Sequence, residues 1–220
     1  MESRKKKGKE IASTTIVNAP RFRTRRFVYR ILYRVLTRLF GRFGGVASLE
    51  YAASLSPALG RIYCASREPL VRAECDHFLT ADQIQIQDYE KVVMIGGGAL
   101  PVTAIHWAGR FEGPIVVLEK NRLTTVLCKR LIRKLGLGNV QVVCQDGAAY
   151  EDYDNSIVLF SLHVTNKPLV VGSVLGCGKN KQALCVRLTG EERLNSDLVK
   201  WRTIMEYENF KVVSAVRDPV

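Results

Sequence analysis

The chain has 220 residues, about a quarter of them charged, a net charge of +12 and a mean hydropathy of −0.01. That length accommodates one well-buried domain with a smaller appendage. The absence of any apolar run near ~20 residues argues against a spanning helix, and Arg4-Lys5-Lys6-Lys7 leads into no apolar stretch of the kind a secretory signal carries. The six cysteines show no Cys-x-x-Cys pair and no histidine at ligand spacing. They predict reduced thiols in a cytoplasmic protein, with neither a metal site nor a disulfide framework.

The basicity is local. Residues 1–42 hold thirteen of the 33 Lys and Arg but only two of the 21 Asp and Glu, so the remainder is close to neutral. Residues 1–20 are polar and basic and predict a disordered tail. From Arg21 onward, Phe27, Val28, Ile31, Leu32, Val35, Leu36, Leu39 and Phe40 recur at helical spacing, opposite a stripe of Arg26, Arg30, Arg34, Arg38 and Arg42. This amphipathic arm, broken at Gly44-Gly45, has three readings: a lid packed on the following domain, a helix lying on an anionic membrane surface, or a grip on nucleic acid phosphates. The lid is preferred, then the peripheral membrane contact, because aromatic residues do not alternate with the basic ones. Further helical stretches, 48–58 and 67–79, complete a helical cap over residues 21–90.

From Lys91 to Val220 short β-branched runs alternate with helical segments, the pattern of an α/β domain with a parallel sheet. Strands are predicted at Val92–Ile95, Ile115–Leu118, Val140–Cys144, Ile157–Ser161, Ala183–Leu188 and Lys211–Val216. Helices are predicted at Pro101–Arg110 and Asn121–Leu135, less clearly between Thr165 and Gly178, and over Glu191–Tyr207. With a helix in the last position the sheet has six strands, one short of the seven usual for such domains.

The first strand runs straight into Gly96-Gly97-Gly98, and a helix follows. Glycines let a backbone approach a nucleoside closely, and a helix start offers free N–H groups to a carboxylate. By itself such a loop is also only a tight strand-to-helix turn. Glu119, beside Lys120 at the end of the second strand, stands where an acid accepts from ribose hydroxyls. Asp146, after the third strand, stands where one accepts from an adenine amino group, with Gly147 and Ala148 leaving space for the ring. Each acid alone also reads as a solvated loop carboxylate; their order along the chain makes a nucleoside site. Ser161, Leu162 and His163, after the fourth strand, then border its reactive end, His163 more as rim than as base.

Val93-Met94-Ile95-Gly96-Gly97-Gly98-Ala99-Leu100-Pro101-Val102-Thr103 resembles the nicotianamine synthase pattern, whose Leu-Pro-x-Thr extension places Leu100, Pro101 and Thr103 beside the ligand. The resemblance continues through Val116 to Glu119, Val140 to Asp146 and, more weakly, Leu184 to Arg187 and Phe210 to Ser214, about half of the chain. It implies a Rossmann-type class I fold and S-adenosylmethionine as group donor. The implied reaction is transfer of the donor's aminobutyrate to a small-molecule amine, as in metallophore synthesis. It also implies a carboxylate base helped by a tyrosine, both from the helical region before the sheet. Glu50 and Tyr51 are the candidates, with Tyr63 a second stand-in for the tyrosine; Glu50 reads equally as a surface charge on a helix. The alternatives are a methyltransferase and a catalytically silent partner- or membrane-binding protein.

Overall fold

The computed structural model describes residues 50, 51, 53–177, 180–189, 192–194, 198–207 and 210–217. The expectations for the tail and the basic arm, residues 1–42, lie outside these residues.

Residues 50, 51 and 53–55 are helical, and after them come four bounded helices and seven strands: α1 Pro57–Ala81, β1 Lys91–Ile95, α2 Val102–Ala108, β2 Ile115–Leu118, α3 Arg122–Leu135, β3 Val140–Val143, β4 Ser156–Phe160, α4 Lys167–Cys177, β5 Gln182–Thr189, β6 Arg202–Glu206 and β7 Phe210–Arg217. The strands form one sheet in the order β3-β2-β1-β4-β5-β7-β6. β1 to β5 are parallel, while β7 runs antiparallel to β5 and β6 antiparallel to β7.

Two expectations are corrected here. The segment read as a helix over 191–207 contains β6, and the sheet therefore has all seven strands. β6 is an edge strand, paired only with β7, with no buried residue and a register shift between Thr203 and Met205. Edge strands need no buried alternation, so nothing in Arg202-Thr203-Ile204-Met205-Glu206 marked it as β. The two cap helices also divide differently: α1 is one 25-residue helix that carries Pro69 inside it.

Alternation along the strands builds two cores, one on each face of the sheet. Val92 and Met94, Ile115 and Val117, and Ile157 and Leu159 point to one face, where they meet Val71, Cys75 and Phe78 of α1, Trp107 of α2 and Cys128 and Ile132 of α3. Val93 and Ile95, Val116 and Leu118, and Val158 and Phe160 point to the other, against Val170, Val171 and Val174 of α4. α1 thus shares its core with the sheet. A smaller cluster of Ala53, Tyr63, Leu100 and Leu131 fastens the segment before α1 to the loop after β1.

Candidate functional site

The strand order reverses between β1 and β4, so the loops after these neighbours diverge and leave a crevice at the carboxyl edge of the sheet. Gly96-Gly97-Gly98 leaves β1 on one side, and Ser161-Leu162-His163 leaves β4 on the other. Backbone bonds close the base of the crevice: Gly96 N–H donates to Leu118 O at 2.9 Å and Ser161 N–H to Ile95 O at 3.0 Å. Above it lies a cleft of about 350 Å³ roofed by residues 50 and 51 and by one face of α1.

Close packing at the loop depends on the missing side chains. At Gly97 a Cβ would run into Val117 Cγ1, and at Gly98, where φ is +67°, it would lie 3.0 Å from Glu50 Oε2. The Gly98 N–H donates to Glu119 Oε2 at 3.0 Å, and the other oxygen of that carboxylate accepts from Asn121 N–H at 2.9 Å. Glu119 is therefore fixed at the end of β2 by two backbone donors. It lines the cleft.

The other predicted residues take different places. Leu100 and Thr103 line the cleft, whereas Pro101 is buried at the start of α2. Lys120 is exposed and donates to Thr165 Oγ1 at 2.6 Å. Asp146 is exposed, outside the cleft lining, and accepts from Ala148 N–H at 2.9 Å, capping a short 3-10 turn at Gly147–Ala149. Gly147 is buried where a Cβ would lie 2.8 Å from Ile95 Cγ2, and Ala148 packs partly against the core. Ser161, Leu162 and His163 all line the cleft, His163 as an exposed rim residue.

At the roof the structure brings Glu50 and Tyr63 together. The Tyr63 hydroxyl donates to Glu50 Oε1 at 3.2 Å. Tyr51, one residue from Glu50, instead shares a 2.5 Å bond with Thr124 Oγ1 at the start of α3. Burial raises the proton affinity of Glu50. The Tyr63 hydrogen bond and Arg67 work against this, Glu119 adds to it, and the net effect lifts Glu50 above the ordinary glutamate value. Arg67, one turn beyond Tyr63, lies over the Tyr63 ring at 5.6 Å. Tyr63, Arg67, Leu70, Val71 and Glu74 thus present one continuous helical stripe to the cleft.

Sequence reasoning missed the far end of this stripe. Glu74, 3% exposed, receives Arg187 Nε at 2.8 Å and Arg187 Nη2 on the same Oε2, and Nη2 also donates to Thr103 Oγ1 at 3.2 Å. The available signal was faint: Glu74 falls at helical spacing from Tyr63 and Arg67, and a lone arginine interrupts an apolar strand at Arg187. Behind the pair lies a cavity of about 20 Å³, bordered also by Cys75, Trp107 and Cys185. Burial pushes the Cys75 thiol up to about 12, which leaves it inert as a nucleophile. Among the described residues no group of three His, Cys, Asp or Glu is placed to hold a metal ion, and no helix is long and apolar enough to cross a membrane.

No protein-family model matches the chain. No curated protein matches it either. Solved structures do. A glutamate-to-glutamine mutant of MtNAS, a nicotianamine synthase, in complex with S-adenosylmethionine aligns with a TM-score of 0.62 at 15% identity, over 92% of this chain and 81% of that one. MtNAS in complex with MTA and tNA aligns with a TM-score of 0.62 at 14% identity, over 93% and 79%. An RNA methyltransferase from Salinibacter ruber, in complex with S-adenosyl-L-homocysteine, aligns with a TM-score of 0.51 at 13% identity, over 68% and 91%. What is shared at such identities is the fold. It is the Rossmann-like arrangement of S-adenosylmethionine-dependent methyltransferases, with seven strands in one sheet.

Proposed function

We propose that this chain is an S-adenosylmethionine-dependent transferase that moves the donor's aminobutyrate group onto an amine, with Glu50 as the proton acceptor. The structures it resembles hold S-adenosylmethionine, MTA or S-adenosyl-L-homocysteine. The crevice fits such a ligand. Gly96, Gly97 and Gly98 let the loop pack against Val164, Val117 and Glu50 at the carboxyl end of β1, where a Cβ would intrude, and Glu119, held by the Gly98 and Asn121 N–H groups, is rigid enough to accept from two ribose hydroxyls. In this reading Asp146, exposed beyond the cleft lining after β3, accepts from the adenine amino group, and His163 borders the reactive end from the rim.

The observation that carries the finer reading is the Glu50 carboxylate, hydrogen-bonded to Tyr63 and facing Gly98. When bound, S-adenosylmethionine supplies an activated γ-carbon next to a sulfonium. The nitrogen lone pair of the acceptor forms the new C–N bond, the C–S pair returns to sulfur, and the leaving group is neutral methylthioadenosine. The nitrogen then carries one proton too many, and Glu50 takes it. Its raised proton affinity suits that task better than an ordinary glutamate would, because a base works best with a pKa near the working pH. Tyr63 holds the carboxylate in place and stabilises its charged form before the transfer.

Methyl transfer is the second reading, favoured by the fold shared with the Salinibacter enzyme. The released nucleoside separates the two. Incubation of the full chain with S-adenosylmethionine and amines should release methylthioadenosine, and Glu50→Gln should reduce its formation by about 10²–10⁴-fold while leaving donor binding intact. Release of S-adenosylhomocysteine would assign methylation, and undiminished turnover by the Gln variant would remove Glu50 from the mechanism.

A further inference from the structure

The end of the cleft away from Glu50 holds a clamped cation. Arg187 projects from β5 and is fixed on one edge, where Nε and Nη2 donate to Glu74 Oε2 and Nη2 also reaches Thr103 Oγ1. Nη1 takes no part in these bonds. The side chain remains 18% exposed and lines the cleft. Glu74 is buried, and its Oε1 has no hydrogen-bond partner among the described residues. A buried carboxylate is destabilising when unpaired, and this one is paired with the guanidinium that it orients. Three elements, α1, α2 and β5, therefore converge to fix the guanidinium with Nη1 left outside these bonds, a charge-assisted donor that suits a carboxylate oxygen.

Its distance from Glu50 matters. Tyr63, which holds Glu50, and Glu74, which holds Arg187, are eleven residues apart on α1, about 16 Å along the axis. Between Arg67 and Glu74 the cleft is apolar, with Leu70 and Val71 on α1 and Met94 and Phe210 also lining it. The cation nearer the glycine loop is Arg67, whose charge is felt by Glu50.

We propose that Arg187, clamped by Glu74 and Thr103, binds the carboxylate of the acceptor, and that this acceptor is an elongated amino acid whose reacting amine and carboxylate are separated by an apolar chain. The inference rests on the reading above for the place of the reacting amine.

Binding measurements test it without requiring turnover. Glycine, γ-aminobutyrate and ε-aminocaproate are titrated into the full-chain protein by calorimetry, each beside the alkylamine lacking the carboxylate: methylamine, propylamine and pentylamine. The series is run with saturating methylthioadenosine and again without it. ε-Aminocaproate should bind at least tenfold more tightly than either glycine or pentylamine. The double variant Arg187→Met, Glu74→Met removes both charges together, so neither is left buried alone, and should bring ε-aminocaproate down to the level of pentylamine with methylthioadenosine affinity unchanged. Equal binding of pentylamine and ε-aminocaproate to the unaltered chain overturns the proposal, and that comparison decides the matter even where the variant fails to fold. Loss of S-adenosylmethionine binding in a folded variant that still captures the acid also overturns it, since Arg187 would then hold the donor. Capture of the acid by a protein that binds no methylthioadenosine supports the carboxylate site and removes the donor reading instead.

Discussion

Glu50 is held between opposing influences, and its neighbours determine where it titrates. Burial raises its proton affinity, while the Tyr63 hydroxyl lowers it by donating to the charged form. Replacing Tyr63 by Phe removes a hydrogen bond to a charged group, worth about 1.5–3 kcal/mol. Since 1.36 kcal/mol corresponds to one pH unit, the acid limb of the rate profile should move up by about one unit or more. A limb that stays in place or moves down in Tyr63→Phe would show that Tyr63 does not act on the base. Stability follows the same linkage. The folded chain holds the Glu50 proton more tightly than the unfolded chain does, so stability contributed by the protonated form is lost as pH rises from the ordinary glutamate value through the raised one. Glu50→Gln, which keeps a partner for the Tyr63 hydroxyl, should therefore melt at or above the wild-type temperature at neutral pH while transfer is lost. Differential scanning calorimetry across pH 5–8 checks the sign. A Gln variant that becomes less stable than wild type as pH rises would contradict it.

At the level of elements, α3 connects the sheet to the roof. Asn121 caps it, with its side chain accepting from Thr124 N–H at 3.1 Å, and Gly136 ends it in the left-handed conformation. Thr124 in turn holds the Tyr51 hydroxyl, and Asn121 N–H holds Glu119. Asn121→Ala should cost about 1 kcal/mol in urea unfolding, the usual loss for a helix cap. It should also weaken nucleoside binding, because Glu119 shares the same turn; a stability loss with unchanged binding would confine Asn121 to the cap. These features were legible because they rest on short-range chemistry: a cap residue, an apolar stripe, a glycine stop. Other elements were harder to read for equally specific reasons. β6 is exposed and unpatterned. α4 looked doubtful because of Gly172 and Gly176, yet a Cβ at either would meet nothing, so neither glycine marks a break in the packing. The Glu50–Tyr63 bond spans the helix interruption at Ser56, and the Glu74–Arg187 pair spans 113 positions. No local spacing rule encodes either of them.

Across the described residues, α1 contributes Val71, Cys75 and Phe78 to the same core as β1, β2 and β4. The roof of the cleft and its floor therefore belong to one cooperative structure, and a ligand touching the loop stabilises both. For one site and free ligand at a hundred times its dissociation constant, linkage gives about 2.7 kcal/mol. For a chain of this size each kcal/mol raises the midpoint by about 2–4 °C, so S-adenosylmethionine should shift a single thermal transition by about 5–10 °C. The donor is assigned a cradle for its nucleoside, formed by the glycine loop and Glu119, so methylthioadenosine should shift it nearly as far and methionine alone hardly at all. Glu119→Ala should abolish most of the nucleoside shift, since it removes the acceptor that Gly98 and Asn121 orient. A full shift with methionine alone would place the binding energy at the amino-acid end of the cleft. No shift with either nucleoside would leave the seven-stranded sheet intact but withdraw the adenosine site from it.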